Sequence, residues 1–140
     1  MQPGPEPARE GGFVVLHRRI ESWALYVSLD AAQRHVVTTI ILAANWKAGE
    51  FWYGPTRIQV ERGQLALAEE TIARRAGTSR KVVRGVLSKL EAEGFISRKK
   101  VHPSGQCPTV ITITKYDEYQ RIDDEEGPPE GQRRARGGPR

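Results

Sequence analysis

The apolar positions of this chain change period partway along, and the change marks out its most informative stretch, residues 64–115. Ile72, Ala73 and Ala76 share one helical face, since side chains three and four apart lie on the same side of an α-helix. Glu69 and Glu70 fall in the first turn of that helix and Arg74 and Arg75 near its end, the placement the helix dipole favours. Gly77 supplies a stop, because glycine takes the left-handed conformation of a helix end at little cost. Either Thr78 or Ser79 then offers an oxygen to cap a second helix. In that second helix Val83, Val86, Leu87 and Leu90 form one side, while Arg80, Lys81, Arg84 and Ser88 fall mostly on the other, and Gly94 ends it. Beyond Gly94 the period becomes that of strands. Phe95, Ile96 and Ser97 lead into Arg98, Lys99 and Lys100, turn residues follow at His102, Pro103, Ser104 and Gly105, and a run rich in β-branched residues fills 108–115. The prediction is helix, tight turn, helix and a two-stranded hairpin with a basic tip.

Upstream, Asp30 is a good N-cap for a helix over 31–47, whose apolar face is Val36, Val37, Ile40, Ile41 and Ala44 with Trp46 at its flank. A short extended piece and a turn of helix around 20–23 precede it. Phe51, Trp52 and Tyr53 follow Gly49 in a loop or strand, 57–61 reads as a short strand, and Gln64, Leu65 and Ala66 are placed to add a third strand beside the hairpin. The aromatic residues Trp23, Tyr26, Trp46, Phe51, Trp52 and Tyr53 are expected to fill the core, because so small a domain has few other large side chains. Residues 1–12, rich in proline and glycine, read as a disordered arm. Residues 121–140 read as a disordered tail, acidic at Asp123, Asp124, Glu125 and Glu126 and basic at Arg133, Arg134, Arg136 and Arg140. The fold class expected for 13–120 is α+β, with a three-helix core and a small antiparallel sheet.

Charge sharpens the picture. The whole chain of 140 residues carries a formal +5. Between Ser79 and Lys100 seven basic residues stand against two acidic ones, so that span alone nets +5. Basicity focused on the second helix and the hairpin suits a polyanion. Cys107 is the only cysteine, and His17, His35 and His102 have no ligand spacing, so neither a disulfide nor a metal is expected. No nucleophile–base pairing or phosphate-binding glycine loop is present, which argues against an enzyme and against any cofactor. The N-terminus lacks the charged-then-apolar form of a leader, and no apolar run approaches the roughly 18 residues that span a bilayer, so a cytoplasmic protein without membrane contact is expected.

The segment 78–96 resembles the recognition helix of winged helix-turn-helix proteins, and its Ser-Arg-x-x-Val-Arg start is similar to that of GntR-type regulators. More of the chain resembles the N-terminal domains of phage replisome-organizer and primosome-type replication proteins. Leu16, His17, Arg18, Arg19, Ile20, Trp23 and Tyr26 match their opening motif. Ala44, Asn45, Trp46 and Lys47 match the end of a long apolar helix, Arg62, Gly63, Gln64 and Leu65 an Arg-Gly-Gln-Leu element, and Ile113, Thr114, Tyr116, Tyr119 and Gln120 a closing motif. The likeness spans 12–120. In the family pattern the helix before the turn follows a serine or threonine cap, where this chain has Leu67 and Ala68.

The resemblance implies a winged helix-turn-helix that binds double-stranded DNA in replication initiation or transcription regulation, as expected of a phage or mobile element. Arg80, Lys81 and Arg84 are expected at base edges, where arginine favours guanine. Ser79, Arg98, Lys99 and Lys100 are expected on phosphates, with Thr78, Ser88 and His102 completing the contact set. A winged domain of this kind is expected to act as a homodimer through its N-terminal segment and first helix. The competing expectation is a protein–protein module without DNA contact. A blander account makes the charged side a solvated helix face and the lysines guards of a strand edge.

Overall fold

The computed structural model describes residues 12–53, 55–100 and 109–121. The proline-rich stretch up to residue 11, the expected turn residues with His102 and Cys107, and the charged stretch from residue 122 lie outside the described residues.

An extended segment leads into a 3₁₀ turn, Arg18–Ser22, and a short helix α1, Ala24–Ser28. The helical turn expected around 20–23 thus begins earlier and is followed by another, because Trp23 is extended (φ −72°, ψ 120°) and separates the two. Helix α2, Ala31–Ala43, starts on a reciprocal cap: Gln33 N–H donates to Asp30 Oδ1, and Asp30 N–H donates to Gln33 Oε1, each at 2.8 Å. It stops short of the expected residue 47. Ala44 is extended, and Asn45 instead donates from its backbone N–H and its side-chain amide to the Gln64 carbonyl, at 2.9 and 2.7 Å.

Strands β1, Gly49–Tyr53, and β2, Thr56–Val60, form a hairpin. Strand β3, Gln64–Ala66, precedes helices α3, Glu69–Ala76, and α4, Arg80–Ala92. Strands β4, Ile96–Lys100, and β5, Thr109–Ile113, follow, and a last helix α5, Tyr116–Gln120, closes the described chain. The second sheet is antiparallel in the order β3–β5–β4, with Leu65 opposite Ile111 and Arg98 opposite Ile111 on the other side. The fold is α+β, as expected, and Gln64, Leu65 and Ala66 pair with the hairpin's second strand as expected.

The core fills the space between the helices and one face of that sheet. Val36, Val37 and Ile40 of α2, Ile72 of α3, and Val83, Val86, Leu87 and Leu90 of α4 meet Leu65, Ile96, Ile111 and Ile113. Burying each such aliphatic side chain is worth about 1.5–3 kcal/mol, which makes this cluster the main source of stability. Strand alternation turns Ala66 and Val110 to the opposite face, where Ile58 and Val60 of β2 cover them. The β1–β2 hairpin is therefore a lid on the outer face of the sheet.

Two polar clusters lock this frame. Gly63 has φ +86° and lies so close to Tyr116 that an added Cβ would stand 2.7 Å from the Tyr116 Cβ. Gly63 N–H donates to the Asn45 carbonyl at 2.7 Å, and Ile113 N–H donates to the Gly63 carbonyl at 2.9 Å. Arg62 lies over the Tyr116 ring, pairs with Asp117 and donates to the Trp46 carbonyl. At the other cluster the Gln120 amide brackets residue 15: Val15 N–H donates to Oε1 at 2.7 Å, and Nε2 donates to the Val15 carbonyl at 3.0 Å. His17 Nε2 meets the Tyr119 carbonyl at 3.0 Å and is the donor there, since a carbonyl only accepts. Phe95 stacks on Tyr119 with ring centroids 5.5 Å apart, and Trp23 lies tilted against Phe95 at 5.1 Å.

Candidate nucleic-acid interface

The turn between α3 and α4 is built from three residues. Gly77 ends α3 in the left-handed region (φ 75°, ψ 35°), which glycine enters without a Cβ penalty. Thr78 N–H reaches back to the Ala73 carbonyl at 2.9 Å and Gly77 N–H to the Arg74 carbonyl at 3.3 Å, the paired closure of a Schellman turn. With Thr78 used in that closure, Ser79 is left in the extended conformation of an N-cap, and its Oγ accepts from Val82 N–H at 3.2 Å. Of the two candidate caps it is Ser79 that acts. Helix α3 begins on Ala68 with no side-chain cap, so Glu69 and Glu70 in its first turn supply the favourable charge instead.

Helix α4 buries Val83, Val86, Leu87 and Leu90 and turns Lys81, Gly85, Ser88 and Ala92 outward, all exposed. Helical geometry puts these four on one side. A Cβ at Gly85 would meet nothing within 4 Å, so this face is narrow and open. Arg80 is exposed in the first turn and Arg84 on the flank of the face. Lys99 and Lys100 are exposed on β4, which follows α4 directly. Strand alternation sends Lys99 to the face shared with Val110, and Arg98 to the helix side.

The expected cations divide into two groups. Arg80, Lys81, Lys99 and Lys100 make no ion pair among the described residues. Arg84 and Arg98 are each held by a glutamate. Arg84 donates through Nε and Nη2 to Glu69 Oε1 at 3.2 and 3.1 Å. Arg98 donates through Nε and Nη2 to Glu91 Oε1 at 3.1 and 2.8 Å. The Arg84 side chain stays 56% exposed, whereas that of Arg98 is only 24% exposed, so Arg98 ties β4 to the last turns of α4 more than it faces solvent. Sequence reading missed Glu69 and Glu91, because each partner sits on a different element and no periodicity links them. Counting Glu69 with the basic span lowers its net charge from +5 to +4.

Ser88 and Thr78 lie where expected, exposed on α4 and half-buried in the turn. His102 lies outside the described residues. The aromatic expectation needs correction. Trp46 is 62% exposed and Trp52 57% exposed, so neither fills the core. Helix α2 ends before Trp46, which lies under the Lys47 ammonium at 4.8 Å from the ring centroid. Trp52 points outward opposite Arg57, whose guanidinium lies 5.8 Å from its ring, while Ile58 and Val60 take the inward positions. Trp23 does pack against the core, half-buried, and Tyr26 is half-buried beneath Arg34.

Among the described residues no three His, Cys, Asp or Glu side chains are grouped to hold a metal ion, and no helix is long and apolar enough to cross a membrane. No protein-family model, no curated protein and no solved structure matches the chain.

Proposed function

We propose that this α+β domain is a winged helix that binds double-stranded DNA, with α4 entering the major groove and the β4–β5 pair lying as a wing along the backbone. The order α2, β3, α3, α4, β4, β5 supports this reading, as does the pairing of β3 with β5. The observation that carries it is the set of exposed cations Arg80, Lys81, Lys99 and Lys100 on adjoining elements, which make no ion pair among the described residues. A cation that a protein leaves without an acidic partner gains most from phosphate, because each contact releases a condensed counterion. Of the cations expected at base edges, Arg84 then reads a base, while Arg80 and Lys81 hold phosphates together with Ser79, Lys99 and Lys100. The process served is replication initiation or transcription.

The test is affinity for a pool of 30-base-pair duplexes of mixed sequence, measured against salt. Four phosphate-seeking cations give a slope of log affinity against log salt of about −3 to −4. A flat response overturns the reading. A second reading, a protein–protein module, draws on Phe13, Leu16 and Val27, large apolar side chains left exposed in the N-terminal segment. The same residues are where we expect a homodimer to form on DNA. Recovery of a stable partner after nuclease treatment, with no duplex binding, favours that second reading.

A further inference from the structure

We infer that Glu69 is a specificity-determining residue: it holds Arg84 so that this arginine reads a guanine rather than binding phosphate. The inference rests on the DNA-binding reading above and adds a role for an acidic side chain on the neighbouring helix.

The geometry of the pair carries it. Both contacts, from Nε and Nη2, converge on one carboxylate oxygen of Glu69. They use the side edge of the guanidinium. The end edge, made of one N–H of Nη1 and the second N–H of Nη2, has no partner among the described residues. That end edge is a fork of two donors, the shape that matches O6 and N7 of guanine in the major groove. Glu69 is 29% exposed at its side chain and sits in the first turn of α3, so the more exposed partner is held by the more buried one.

Charge points the same way. Arg84 beside Glu69 is a nearly neutral unit, and a phosphate gains little from it, because the carboxylate repels what the guanidinium attracts. The uncharged acceptors of a guanine edge meet no such repulsion. Arg80, Lys81, Lys99 and Lys100, which make no ion pair among the described residues, remain the phosphate binders. Division of labour follows: unpaired cations bind any duplex, and the paired arginine discriminates.

The experiment uses the full chain, a duplex enriched by the wild type from a random 30-base-pair pool, and mixed-sequence genomic DNA as competitor. The readouts are the ratio of the two affinities and the salt slope for the competitor. Glu69→Gln is expected to steepen the competitor's slope by about 0.9, an extra loss of about 3.5-fold between 50 and 200 mM salt. It is expected to lower the affinity ratio by about 2- to 12-fold, the cost of ordering a long side chain that is no longer held in place. Arg84→Ala is expected to lower the ratio by about 5- to 150-fold with the competitor's slope nearly unchanged. In an Arg84→Ala background Glu69→Gln is expected to leave the ratio unchanged. An equal loss in both backgrounds, or no loss in either, overturns the inference, with unchanged circular dichroism excluding a folding defect. A wild type that binds duplex but enriches no sequence also overturns it while leaving duplex binding intact. A wild type that binds no duplex overturns the functional reading beneath it.

Discussion

The surface around α4 and the pole where the first and last described segments meet use polar residues in opposite ways. At the pole, Val15, His17, Trp23, Phe95, Tyr119 and Gln120 spend their hydrogen bonds and rings on one another. Around α4, Arg80, Lys81, Lys99 and Lys100 have no ion-pair partner among the described residues. The contrast separates residues that hold the fold from residues free to meet something else. It also reinterprets the motifs behind the family resemblance. His17, Trp23, Asn45, Arg62, Gly63, Gln64, Tyr116, Tyr119 and Gln120 all belong to the polar and aromatic clusters that lock the frame. Those motifs hold this domain together; the cations proposed to meet DNA are other residues.

The strongest way to break the contrast is Gly63→Ala. A Cβ there would face Tyr116 at 2.7 Å on a backbone with φ +86°. The strained φ and the overpacking together are expected to cost about 2–5 kcal/mol. Thermal unfolding checks this, with a fall in Tm of at least about 8 °C. Gln120→Ala removes both partners of the part-buried Val15 backbone and is expected to cost about 1–3 kcal/mol in denaturant unfolding, with duplex affinity per folded molecule unchanged.

Ser79→Ala tests the border between the two regions, since Ser79 caps α4 beside the cations. The expected loss is about 1 kcal/mol of stability, with a small loss of affinity. The double change Lys99→Ala and Lys100→Ala lies at the other extreme. It is expected to shift stability by less than about 0.5 kcal/mol. It should flatten the salt slope for mixed duplex by about 0.9 for each lysine, read by anisotropy titrations. The ion pair of the 56% exposed Arg84 has little stability to lose, about 0.2–1 kcal/mol, so its removal is to be read in specificity rather than in Tm.

Much of the frame was legible from local pattern. Asp30 announced α2, Gly77 and Ser79 bounded the turn, and the β-branched run before Lys115 announced β5. Such signals are local because a cap or an alternation needs only its own neighbours. Other features depended on contacts between distant segments. Helix α2 yields to the Asn45–Gln64 pairing four residues before its expected end, and that pairing leaves Trp46 outside. Helix α5 is only five residues long, too short for periodicity to reveal. In the candidate site the cationic residues were legible by type and face. The glutamates that restrain Arg84 and Arg98 were not, since a helical repeat says nothing about which neighbour a side chain will find across a gap.

The bracket that Gln120 places around Val15 gives the molecule a ring-like connectivity. Its first and last described segments are seamed together, so the order in which the elements are strung matters less than the seam. A short linker across that seam would turn the line into a loop, free to be opened at an exposed turn elsewhere without disturbing α4.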